Sequence, residues 1–323
     1  MEEQLKPHES LSVILPAYNE SGNIARAAGV IRGIMDREGI SAAIYFVDDG
    51  STDGTWDEIE AAAQADASVR GIRFSRNFGK EAAIFAGLQT AVGDCCAVMD
   101  CDLQHPPETL VEMYRLWEAG FQVIEGVKAD RGHESLFHKT MAKLFYKLMS
   151  DATRIDMSRA SDFKLLDRQA VDALVALPER STFFRALSSW VGYKTTSVEY
   201  EVQERAIGQS KWSTVSLVKY ALSNITSFST KPLQIVTVMG VLFLILAVVQ
   251  AVESLVTYIT HRAVAGFTTV ILIELIVGSV VMISLGIIGG YIAKIYDEVK
   301  GRHRFIVSKT VGLARREDRH DAV

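Results

Sequence analysis

Cysteine is scarce: only Cys95, Cys96 and Cys101 occur in 323 residues. Two are adjacent and none forms a C-x-x-C pair, which excludes a disulfide scaffold and a cysteine-based zinc site. They read as reduced thiols, small buried residues beside a strand. Six prolines and 23 glycines are too few for a collagen-like chain. Positive charge is not in excess: 34 Lys and Arg against 39 Asp and Glu leave −5, which argues against general nucleic-acid binding. No G-x-G-x-x-G follows the first apolar run, and no G-x-x-x-x-G-K-[ST] occurs, so dinucleotide and P-loop sites are disfavoured. The opening MEEQLKPHES is acidic and has no apolar core, so it reads as no signal peptide. With 49% hydrophobic residues the chain is not disordered, and no repeat or low-complexity tract is visible.

A mean hydropathy of +0.16 hides two populations that separate near Lys231. Pro232 to Val252 carries no charge, and Ala263 to Ala293 carries only Glu274. About 20 such residues cross a ~30 Å hydrocarbon core. Neither run has the polar stripe of a soluble helix. Two transmembrane helices are expected, at about 232–258 and 267–293. The loop between them holds one arginine, Arg262, whereas Lys211, Lys219 and Lys231 precede them and Lys294, Lys300, Arg302, Arg304, Lys309, Arg315, Arg316 and Arg319 follow. The positive-inside bias puts both termini in the cytoplasm of a multi-pass inner-membrane protein. The organisation expected is a cytoplasmic part at 1–212, a juxtamembrane amphipathic helix at 213–231, the hairpin at 232–293 and a basic cytoplasmic tail at 294–323. Ser135 to Met149 and Ser213 to Phe228 are amphipathic, and read as in-plane membrane helices or as domain helices packed on a sheet. Gly286 and Gly290 form a G-x-x-x-G that permits close helix contact and a homo-oligomer. Glu274 is an acid inside a span: a functional candidate, or a residue at the interface or against a partner helix.

The first 130 residues or so alternate strands with helices. Strands are expected at LSVILPAY, AAIYFVDDGS, VRGIRF, CCAVMDCD and FQVIEGV, with helices at 21–35, 54–65, 80–91 and 107–118 between them. Such βαβ alternation implies an α/β fold with a mostly parallel sheet, whose ligands sit at the carboxyl ends of the strands. Acids fall at those ends: Asp48 and Asp49 after one strand, Asp100 and Asp102 after another. Strand-end carboxylates can accept from a base N–H or ribose hydroxyls, and an Asp-x-Asp suits Mg²⁺ or Mn²⁺ bridging a diphosphate. An isolated acid pair is usually a cap or turn. His105 and His138 read as surface or satisfied core residues rather than ligands.

In order, PAYNE, VDDGSTDGT, MDCDLQHPPE and SDFKLLDR resemble family 2 glycosyltransferases of GT-A type fold. RNFGKEAAIFAGL, ERSTFFRALSSWVGYKTTSVEY, ERAIGQSKWS and the hairpin with SFSTKPLQ are similar to the polyprenyl-phosphate branch, which includes bactoprenol glucosyltransferases and dolichol-phosphate mannosyltransferase. The resemblance spans about residues 10 to 310. Ala186 departs from it, standing where relatives often have glycine.

The resemblance implies that Pro16, Tyr18 and Glu20 line the nucleotide pocket and that Asp49 meets the uracil edge. It implies Arg76 and Lys80 on the diphosphate, Asp100 on ribose or metal, and Asp102 on Mg²⁺ or Mn²⁺. Asp162 becomes the base or the carboxylate that orients the sugar. Arg131, Arg205 and Lys211 become contacts to the acceptor phosphate. The implied reaction moves a sugar from a nucleotide sugar to polyprenyl (undecaprenyl) phosphate at the bilayer, with inversion, for envelope glycan or O-antigen modification. UDP-glucose is the donor the branch suggests, with UDP-GlcNAc, UDP-GalNAc and GDP-mannose open. A downstream flippase and glycosyltransferase are implied as well. Two other readings are a processive polysaccharide synthase and a catalytically silent, membrane-tethered binding protein. The first lacks its Q-x-x-R-W motif here, and the second conflicts with an intact Asp-x-Asp.

Overall fold

The computed structural model describes residues 10–129, 161–179, 183–201, 231–260 and 267–313. They fall into two units, one bearing a sheet and one bearing the long helices of 213–302.

In the first unit, β1 (Leu11–Ala17), β2 (Ala42–Asp48), β3 (Val69–Phe74) and β4 (Cys95–Val98) alternate with α1 (Ile24–Arg37), α2 (Thr55–Ala65) and α3 (Lys80–Thr90). Then come α4 (Glu108–Glu118), β5 (Val123–Lys128), β6 (Lys164–Asp167), α5 (Arg168–Ala176), α6 (Phe184–Trp190), β7 (Thr195–Tyr200) and, after the long helices, β8 (Val307–Val311). The sheet runs β7-β5-β6-β4-β1-β2-β3-β8. Four pairings are parallel and three are antiparallel.

The parallel centre explains the apolar runs. LSVILPA and AAIYFVD are covered on both faces, so period-2 polarity is absent. Leu11, Val13 and Leu15 join Ile24, Ala27, Ala28 and Ile31 of α1 in one core. Their spacing on α1 is the i, i+3, i+4, i+7 stripe of an amphipathic helix. Ile14 faces the other way, onto Gly87 of α3, where an added Cβ would lie 2.3 Å from the isoleucine Cγ2. The three cysteines are free and buried, as expected.

Three strands have no counterpart among the strands expected from sequence. β6 is a four-residue insertion that runs antiparallel between β4 and β5, and β7 pairs parallel with β5. β8 corrects the reading of 294–323 as a tail. Its Lys309 and Thr310 pair with Arg73 and Ile72, Ser75 N donates to Ile306 O at 2.9 Å, and Phe305 stacks on Phe74 at 4.9 Å. The open edge of β3 selects this segment, because an unpaired row of backbone groups needs a partner.

The second unit holds α7 (Lys231–Ile259) and α8 (Phe267–Val299). Each contains a candidate membrane span, Leu233–Glu253 and Ile273–Val299, with mean hydropathy 2.7 and 2.2 and with none of the window buried. A core helix of a soluble protein would bury such a face. α8 continues past residue 293, because Lys294 to Val299 are compatible with helix even where the apolar run ends. Glu274 is exposed on α8. The amphipathic segments 135–149 and 213–228, and His138, lie outside the described residues.

Candidate active site

The loops that follow β1, β2 and β4 and the start of α3 converge at the carboxyl end of the parallel strands. The first two are laced together by the polar residues of PAYNE and DDGSTDGT. Asn19, at φ 55, donates its N–H to Ser51 Oγ at 2.9 Å, and its Oδ1 accepts from Thr52 N at 2.9 Å. Asparagine tolerates that left-handed conformation. Glu20 N donates to Thr55 Oγ1 at 2.9 Å, and Gly22 N to Glu58 Oε1 at 2.8 Å. The Glu20 carboxylate accepts from Asn23 Nδ2 at 2.7 Å. Pro16 is half-buried and lies opposite Val47 one residue before the end of β1, and Tyr18 stands 44% exposed just beyond it.

Asp48 and Asp49 are both buried. Asp48 Oδ1 accepts from Ser51 N at 2.8 Å, and its Oδ2 lies 3.3 Å from Arg73 Nε. Asp49 accepts from Phe78 N at 2.6 Å and Gly79 N at 2.8 Å, which clamps the loop ahead of α3. Burial raises its carboxyl above the ordinary value, and the two amides oppose that rise. Gly50 makes the clamp possible: at φ +70 it lies so close to the neighbouring loop that a Cβ would come within 2.4 Å of the Arg76 carbonyl carbon. Asp49 thus has a structural task in addition to the base contact expected of it. Arg76 is exposed, with its guanidinium 4.2 Å from the Phe78 ring centroid.

Lys80 is the first residue of α3 and joins two strand-end acids. Its Nζ is 2.5 Å from Asp100 Oδ1 and 3.2 Å from Asp162 Oδ2. Arg185 of α6 grips Asp162 in a fork, Nε to Oδ1 at 2.6 Å and Nη2 to Oδ2 at 2.8 Å. Burial would raise Asp162, but Arg185 and Lys80 overcome it and hold the carboxyl far below its usual range. Asp100 is lowered in the same way, its desolvation outweighed chiefly by Lys80. Desolvation pulls Lys80 down, yet Asp100 and Asp162 keep it above its ordinary value. The four groups form an alternating chain of charge, Asp100, Lys80, Asp162, Arg185. Three were expected at the site from sequence, and the structure brings them together.

The Asp-x-Asp loop continues from Asp100. Asp100 N donates to His105 Nδ1 at 3.4 Å, and His105 stacks on Phe163 at 4.7 Å. Burial lowers the imidazole, which is packed into the core. Asp102 is half-buried and accepts from Gln104 N at 3.1 Å. Leu103 between them has φ 57, a strained conformation for a bulky residue. No group of three or more His, Cys, Asp or Glu able to hold a metal occurs among the described residues. Arg131, Arg205 and Lys211 lie outside the described residues.

Two site residues, Arg185 and Glu81, carried no role in the sequence reading. Arg185 had a signal: it is the lone charge in STFFRALSSWVGY. Glu81 accepts from Phe184 N at 2.8 Å.

The family model described as "Glycosyl transferase family 2" matches residues 12–175. An uncharacterized glycosyltransferase, YkcC, of Bacillus subtilis (strain 168) is 37% identical over 95% of both chains. The SfII prophage-derived bactoprenol glucosyl transferase of Shigella flexneri is 34% identical over 93% of this chain and 98% of its own. The prophage bactoprenol glucosyl transferase homolog of Escherichia coli (strain K12) is 35% identical over the same shares. Among solved structures, glucosyl-3-phosphoglycerate synthase from Mycobacterium tuberculosis, in complex with Mn²⁺, UDP and glucosyl-3-phosphoglycerate, superposes with TM-score 0.48 at 19% identity. That likeness covers 68% of this chain and 78% of that one. With the family model covering the β1-to-α5 region and full-length relatives above 30% identity, the chain belongs to glycosyl transferase family 2, an enzyme of GT-A type α/β fold.

Proposed function

We propose that the protein transfers glucose, with inversion, from UDP-glucose to undecaprenyl phosphate at the cytoplasmic face of a membrane. The observation that carries this reading is the match to bactoprenol glucosyl transferases over 98% of their length, which includes both apolar helices as well as the sheet-bearing unit. A lipid-phosphate acceptor gives those helices a purpose, because it stays in the bilayer.

The chemistry suits the charges found. An oxygen of the lipid phosphate attacks the anomeric carbon, the bond to UDP breaks, and its electron pair leaves on the β-phosphate oxygen. The acceptor is already anionic near neutral pH, so no strong base is required. Asp162, held ionised by Arg185 and Lys80, is therefore an orienting carboxylate, not a proton acceptor. Lys80 supplies positive charge where the leaving diphosphate develops negative charge. Asp102, half-buried at the strand end, would offer a carboxylate oxygen to a divalent cation. Mg²⁺ or Mn²⁺ bound there would neutralise the leaving group. Asp100 serves Lys80 first, since its Oδ1 is already engaged. Arg131, Arg205 and Lys211 remain proposed contacts to the acceptor phosphate. A product made on the cytoplasmic leaflet needs a flippase and a second transferase to reach an envelope glycan, and G-x-x-x-G in α8 favours a homo-oligomer.

The test is to incubate the purified protein with labelled UDP-glucose and undecaprenyl phosphate. A single β-linked glucosyl lipid is expected. Turnover only with UDP-GlcNAc, UDP-GalNAc or GDP-mannose would replace the donor, and a polymer would make the enzyme a processive synthase.

A further inference from the structure

We propose that Glu81 is a positioning residue, which seats the first turn of α6 through the Phe184 N–H and so sets Arg185 on Asp162. The inference rests on the reading of Asp162 as a site residue. α6 is a seven-residue helix whose N-cap, Phe183, has an extended backbone and makes no side-chain cap. Its leading N–H groups need acceptors from elsewhere. Glu81 provides one from the neighbouring helix: its Oε2 accepts from Phe184 N at 2.8 Å. The next residue along α6 is Arg185, and the residue before Glu81 is Lys80. The two cations that hold Asp162 are thus each one residue from the two ends of this hydrogen bond.

The other side of α6 is tied down independently. Lys164 of β6, wholly buried, places its Nζ 2.5 Å from Glu125 Oε1, 2.8 Å from Ser188 Oγ and 3.4 Å from Arg185 O. A buried ammonium persists only when paired and hydrogen-bonded. Here its partners are a carboxylate of β5 and the backbone and hydroxyl of α6. So short a helix has little stability of its own. With Lys164 on one side and Glu81 at its start, rotation about its axis is restricted, and with it the direction of the Arg185 fork.

Two variants separate the acceptor from the volume. Glu81→Gln keeps an acceptor for Phe184 N–H, and Glu81→Met fills similar space without one. In the full-length enzyme in detergent, Glu81→Met is expected to lower kcat about tenfold while the KM for UDP-glucose stays within about twofold. Glu81→Gln is expected to recover most of kcat. Hydrogen exchange of residues 184–190 should quicken by about tenfold in Glu81→Met and not in Glu81→Gln. That readout needs no substrate, so it stands even if the enzyme uses another donor or acceptor. Wild-type kcat and exchange in Glu81→Met would overturn the proposal. If Glu81→Met fails to fold, Glu81→Gln decides alone: a kcat below about a tenth of wild type would overturn it, because the acceptor is retained.

Discussion

Glu81 and Asp162 are two carboxyls sharing one pair of cations, and they divide it unequally. Asp162 takes the forked guanidinium and the ammonium and stays ionised. Burial and the neighbouring Asp162 push Glu81 up to about 7, with Arg185 and Lys80 pulling the other way. Since this value lies above the unfolded one, the native state holds an extra proton between the two, and stability falls as pH rises through that window. Glu81→Gln has no such loss. Its melting temperature relative to wild type is expected to climb from about pH 5 to about pH 7 and then level off. A constant difference across that range would refute the assignment. Asp102→Asn should cut kcat by about a hundredfold or more and leave the fold intact, since the amide keeps the shape and loses the charge that holds a cation. Full wild-type activity in EDTA would remove the metal from the mechanism. Lys80, Asp100 and Asp162 were legible because each sits in a motif of fixed order. Arg185 was legible only as an odd charge. Glu81 was not legible, because its role depends on a helix over 100 residues away in sequence.

At the scale of elements, apolar runs located β1 to β5 and the helices between them, two of the runs being followed by acids. Four-residue β6 and mostly exposed β8 lack such runs, since their pairing comes from neighbours and not from intrinsic preference. The loop clamp was hidden as well, because the turn residues of DDGSTDGT read as chemistry, whereas Ser51, Thr52, Asp53 and Thr55 mostly hold loops together. Gly50→Ala tests the clamp. Its Cβ would strike the Arg76 backbone, and φ +70 is strained for alanine, so a loss of about 1–3 kcal/mol is expected in denaturant unfolding. A rise in the KM for the nucleotide sugar should accompany it, as Phe78 and Gly79 are released from Asp49. Unchanged stability would mean that the two loops are not closely seated.

For the whole molecule, the charge-free runs announced two apolar helices, but not that the chain after them rejoins the sheet. This changes how the hairpin must be removed. Ending the chain before Pro232 also deletes β8, which strips the β3 edge of its partner and Phe74 of its stacking ring. An exposed edge strand invites aggregation, and a melting temperature well below wild type is expected. Replacing 232–302 with a flexible Gly/Ser linker keeps Phe305 and β8 and removes only the apolar helices. That protein should melt near the sheet-bearing unit of the wild type, bind UDP-glucose with similar affinity, and glucosylate a short, water-soluble polyprenyl phosphate. With undecaprenyl phosphate in vesicles it should be slower by about a hundredfold, because the acceptor is no longer brought to the site. Equal rates on vesicles would show that the hairpin does not position the enzyme. Failure on the soluble acceptor, with UDP-glucose still bound, would place an acceptor contact within 232–302.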